Sequence, residues 1–125
     1  MSVQSSKRNK KLDREKLMHI TTTVPIERAF HFFADLKKPL GMYAASIFDF
    51  ADKLKRVDMQ SIEFHLRRND FSNWLNEVVH DEWLASEFEK VRKLPVSGEN
   101  LRARLVELTD KRVKELRDGL KELRV

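Results

Sequence analysis

Asp70-Phe71-Ser72-Asn73-Trp74-Leu75-Asn76-Glu77-Val78-Val79 is the stretch from which the fold is read. Phe71, Trp74, Leu75, Val78 and Val79 recur at i, i+3, i+4, i+7 and i+8, the stripe of a helix with one buried face. Asp70 stands where a carboxylate caps the first free amides. The same grammar continues on both sides. Ser46 caps a helix with Ile47, Phe50, Ala51, Leu54 and Val57 on one face, and Asp58 caps the next, with Met59, Ile62 and Leu66 inward. After residue 80, Asp81 caps a helix that turns Leu84, Phe88 and Val91 inward. Leu94-Pro95-Val96-Ser97-Gly98 breaks the chain, and a last helix runs from about Glu99 to Leu123.

That last helix carries Leu101, Leu105, Leu108, Val113, Leu116, Leu120 and Leu123. Leu105 and Leu116 are eleven residues apart, a repeat that keeps a stripe on a nearly straight helix. Glu107–Lys111 and Asp110–Lys114 are spaced as i, i+4 ion pairs on its flanks. A stripe this narrow packs on its own domain or on a twin, and composition does not separate the two.

Toward the N-terminus, Ile20-Thr21-Thr22-Thr23-Val24 favours a strand and ends at Pro25. Phe30, Phe32 and Ala34 alternate with His31 and Phe33. Asp35 to Gly41 has turn chemistry, and Met42 to Ala45 reads as a return strand. The expected fold is therefore α+β and mostly helical: a short β-hairpin followed by about five helices, the last one long. A basic leader over 1–16 precedes a single α+β domain over 17–125.

At 125 residues the chain has room for one domain. Without cysteine it has no disulfide and no thiolate metal site. It has no apolar run of membrane-spanning length, and residues 1–16 lack the apolar segment of a secretory signal, so a cytoplasmic home and no membrane contact are expected. The charge is concentrated. Lys7, Arg8, Lys10 and Lys11 lie in residues 1–12 without an acid, whereas residues 13–125 hold 21 basic and 20 acidic side chains. Such an arm gains affinity for a polyanion through counterion release. Its bland counterpart is a solubilising tail.

Catalytic and metal chemistry find little support. Glu63, His65 and Asp70 form the one dense polar cluster beside aromatics, but Glu63 and His65 point to different sides of a helix. Glu63 is spaced to pair with Arg67, His65 sits in a last turn where a cation or a carbonyl donor is favoured, and Asp70 reads as a cap. His19, His31, His65 and His80 have no ligand spacing. Gly41, Gly98 and Gly119 are isolated, so no phosphate loop is present. No catalytic residue, metal or cofactor is expected. Trp74 belongs to the core by its spacing, and Trp83 falls off the Leu84 stripe toward the surface. A helix-turn-helix is disfavoured because Ser72, Asn73, Asn76 and Glu77 face outward with no basic residue among them.

Ser61-Ile62-Glu63-Phe64-His65-Leu66-Arg67-Arg68-Asn69-Asp70-Phe71-Ser72-Asn73-Trp74 follows the pattern S-x-E-F-H-x-x-R-x-D-F-x-x-W. With Phe30-His31-Phe32-Phe33, Ala45-Ser46 and Asp81-x-x-Leu84-Ala85, it resembles a mainly archaeal domain-of-unknown-function family over about residues 28–94. The resemblance implies a small α+β domain and no activity. That family usually has Gly where this chain has His80, so a tighter turn is expected to be lost. In size, basic tail and helical body the chain is also similar to small archaeal ribosome-inactivation and dimerisation (hibernation) factors.

Together these readings give a non-enzymatic interaction factor that binds RNA or a ribosomal subunit and acts as a homodimer. The RNA-binding candidates are Lys7, Arg8, Lys10, Lys11, Arg14, Arg67 and Arg68. Arg102, Arg104, Lys111, Arg112 and Arg117 could extend the basic patch along the last helix. The alternative is a protein-binding regulatory module without nucleic-acid contact.

Overall fold

A computed structural model describes residues 12–123. The first described element is not a strand. Helix α1 spans Arg14–Ile20, capped by Asp13, whose Oδ1 accepts from the Lys16 amide at 2.8 Å. Arg14, Glu15 and Lys16, assigned to the leader from sequence, form its first turn. The β-branched run Ile20–Val24 fails as a strand because its hydroxyls serve the helix end. Thr21 Oγ1 donates to the Leu17 carbonyl at 2.9 Å and Thr22 Oγ1 to that of Met18 at 2.7 Å, satisfying acceptors a helix end leaves open.

After a 3-10 turn at Ile26–Arg28 come β1, Phe30–Asp35, and β2, Lys38–Ala44, paired antiparallel. The return strand starts at Lys38, so the turn is shorter than the one read from Asp35 to Gly41. Phe30, Phe32 and Ala34 point into the core. The register slips on both sides of Phe33, which lies opposite Pro39, a residue with no amide hydrogen for the ladder.

Five α-helices follow the hairpin, and a π-helical turn makes a sixth helical element. Helix α2 is Ile47–Leu54 behind Ser46, and α3 is Met59–Arg67 behind Asp58. Both caps accept from first-turn amides. Helix α4, Asp70–Trp74, is capped differently from expectation: Asn69 takes the N-cap position in the left-handed region and makes no side-chain cap bond. The helix then widens into the π turn, Leu75–Val79. His80 follows at φ +65°, so the tight turn typical of glycine is kept here by a histidine. Helix α5 is Glu82–Arg92, capped by Asp81, and α6 is Gly98–Leu123.

Leu101, Leu105, Val113 and Leu116 of α6 are buried, and Leu108, Leu120 and Leu123 pack against the same core. The five-residue gap between Leu108 and Val113 is filled by buried Thr109 and Arg112. The leucine stripe is thus taken up by the chain's own core. Of the two flanking pairs expected on this helix neither is seen; Asp110 meets Lys55 at 3.3 Å and Lys114 meets Asp118 at 3.2 Å.

Candidate nucleic-acid interface

Helix α3 sends Ile62 and Leu66 into the core, so Arg67 and Arg68 must leave on its outer side at the C-terminal end, where cations are favoured. Both are exposed. Arg68 is held: its Nε donates to Asp70 Oδ2 at 3.0 Å, and its guanidinium carbon lies 5.0 Å from the centre of the Phe64 ring. Arg67 makes no hydrogen bond or ion pair among the described residues, and it borders two clefts. One lies against the hairpin end, with Asp35, Gln60, Phe64 and Arg68, and the other against α6, with Arg92, Ser97 and Leu101. Glu63 lies between these clefts. It does not pair with Arg67; its Oε2 accepts from the Gly98 amide at 3.1 Å, a remote cap on the start of α6.

The polar cluster beside them is structural. His65 is buried rather than donating at a helix end. Its Nε2 accepts from the Phe33 amide at 2.9 Å, the donor that the strand slip leaves without a ladder partner. Its Nδ1 then carries the proton and donates to Asp70 Oδ2 at 2.9 Å. Asp70, read as a cap, instead joins His65 and Arg68. Burial pushes the His65 pKa below 6.5 and outweighs the upward pull of Asp70. Both ring nitrogens face protein groups, so this pair has no free edge for a substrate.

Several other basic candidates are engaged. Arg112 is 2% exposed, donating from Nε and Nη2 to both oxygens of fully buried Asp81 at 2.7 and 3.0 Å, beneath Trp83. It cannot belong to a surface patch. Such bidentate geometry offsets the cost of burying two charges. Arg102 donates to the Leu54 carbonyl and to Glu99, and the Arg117 guanidinium covers Phe48. Arg104 and Lys111 remain exposed on α6.

The expected patch is also split. Arg14 starts α1, which packs at Gly119, where a Cβ would lie 3.1 Å from a Leu17 methyl. Arg67 and Arg68 lie near Gly98, at the other end of α6. The two glycines are 21 positions apart, which makes about 30 Å at 1.5 Å per residue. Lys7, Arg8, Lys10 and Lys11 lie outside the described residues. Among the described residues no group of three or more His, Asp or Glu is placed to hold a metal, and no helix is long and apolar enough to cross a membrane. His19 and His80 touch edge to face at 4.3 Å.

A family model described as a family of unknown function, DUF5752, matches residues 27–123. The chain belongs to that family. No curated protein and no solved structure matches it. The part shared with DUF5752 includes the hairpin, α2 to α6 and therefore Arg67, Arg68 and the His65–Asp70 pair, whereas α1 lies before it.

Sequence reading missed Phe64 and Gln60. The available signal was their place off the Met59–Ile62–Leu66 stripe, which turns an aromatic and an amide outward beside the two arginines.

Proposed function

We propose that this DUF5752 chain is a non-enzymatic interaction factor that faces RNA, with a ribosomal subunit as the partner class. The observation that carries the reading is Arg67 with Arg68: two adjacent exposed arginines at a helix end, one free of acidic partners among the described residues and one fixed over an aromatic ring. Arginines fixed this way suit phosphate and base planes. The basic sequence before Leu12 adds further cations, and Arg14 at the start of α1 stands about 30 Å from the arginine pair along α6. An RNA that engages both Arg14 and Arg67 must span that distance. Pairing with a second copy is not required by this reading, because α6 packs its leucines inward.

The reading is tested by fluorescence anisotropy with a labelled single-stranded RNA across a salt series. If the four leader cations meet phosphates, log affinity falls with log salt at a slope of about −3, and Arg67 adds to it. Removing residues 1–11 should take away most of the slope and leave the thermal midpoint nearly unchanged. The cut stops there because Leu12 packs against the core and Asp13 caps α1. Salt-independent or absent binding would refute an RNA-facing role. The polar groove between α4 and α5, with Asn69, Asn73, Asn76 and Ser86, favours the second reading, a protein-binding module.

A further inference from the structure

Among the aromatic rings of the helical body, Phe64 stands apart. Phe50, Phe71, Trp74 and Phe88 are buried in the core, and Phe48 and Trp83 pack against it; Phe64 lies at the rim, partly buried, with its ring edge to face on that of His65 at 5.0 Å between centres. Arg68 covers it, and the orientation of Arg68 is fixed by Asp70, which is fixed in turn by buried His65. The stacked pair is therefore set before any ligand arrives. It borders the cleft that also holds Asp35, Gln60, Glu63 and Arg67.

We infer that this cleft is a nucleobase subsite, in which a guanine of single-stranded RNA stacks on the Phe64–Arg68 pair and its phosphate meets Arg67. The inference rests on the RNA-facing reading above. Bases stack on aromatic rings and guanidinium planes, and single-stranded RNA leaves their pairing edges free. The acceptors select the base. Asp35 Oδ1 accepts from the Lys37 amide and Oδ2 makes no hydrogen bond among the described residues, so the carboxylate keeps accepting capacity at both oxygens. Guanine presents its N1–H and N2–H groups side by side, the pair of donors that the two oxygens of one carboxylate can accept. Uracil brings one N–H to its pairing edge, and adenine and cytosine bring an amino group beside a ring acceptor. The base itself carries no charge, so its stacking adds affinity without adding to the salt slope, which the phosphate contact of Arg67 carries.

The test uses the full chain and two labelled RNA decamers, one all-uridine and one with two central guanines, over a salt series. The guanine decamer should bind at least about fivefold more tightly. Phe64→Leu should abolish that preference while the slope stays, and Phe64→Tyr should keep it. Arg67→Ala should weaken both decamers and flatten the slope by about 0.7. Circular dichroism and the thermal midpoint check that each variant is folded. Equal binding of the two decamers, unchanged by Phe64→Leu and still salt-dependent, overturns the subsite and leaves the RNA-facing reading standing. Absence of salt-dependent binding to either decamer overturns both.

Discussion

Acidification tests the contact between His65 and the strand slip. The folded imidazole is neutral and protonated on Nδ1, because Nε2 accepts from the Phe33 amide. A second proton would set Nε2–H against N–H. Burial, opposed less strongly by Asp70, keeps the folded pKa below 6.5, whereas in the unfolded chain His65 titrates near that ordinary value. Between the two values the unfolded chain holds more protons. The contribution is therefore complete above about pH 6.5. It falls as pH drops, by up to about 1.4 kcal/mol per unit, until the folded ring itself is protonated. His65→Leu removes the titration but leaves the Phe33 amide without its partner and Asp70 without one of its donors, at a cost of about 2–4 kcal/mol near neutrality. Urea unfolding of both proteins at pH 7.5, 6.5 and 5.5 isolates the effect, since His19, His31 and His80 are exposed and common to both. The stability gap should narrow as the pH falls through this range, at no more than about 1.4 kcal/mol per unit. A constant gap, or an NMR titration placing His65 at or above pH 6.5, would refute the reasoning.

Three more outcomes follow from the packing. Trp74, 7% exposed with Nε1 donating to the Arg28 carbonyl at 2.8 Å, should cost about 3–5 kcal/mol as Trp74→Ala, read by denaturant unfolding. Asp81→Ala should cost about 3 kcal/mol, since it leaves buried Arg112 with Glu115 as its one remaining acidic partner and uncaps α5; a double-mutant cycle with Arg112→Met should show strong coupling. His80→Gly should raise stability by about 1 kcal/mol by relieving the left-handed backbone, seen as a higher thermal midpoint.

Helix positions were legible because α2, α3 and α5 each announce themselves twice, by a cap and by a stripe: Ser46, Asp58 and Asp81 all accept as their positions suggest. The N-terminal run was not, because threonines that favour strands by propensity also close a helix by their hydroxyls. The π turn was invisible, since Phe71 to Val79 keeps the same apolar spacing either way. The arginine pair was legible as residues off the α3 stripe. Its surroundings were not. His65 reaches Asp70 around the left-handed Asn69, and Arg112 meets a partner 31 positions away, so periodicity carries no trace of either contact.

The π turn bears on how this chain tolerates changes in length. A turn closed by i, i+5 bonds holds one residue more than an α-turn, so losing Asn76 or Glu77, both exposed, would let the segment close as ordinary helix rather than unravel. The direction of the chain beyond it would change little, because a π turn and an α-turn each carry it once around the axis, so Asp81 would still face Arg112 and α5 would keep its lock on α6. Length in this segment is therefore slack: one position can be given up without re-aiming the helix that comes next.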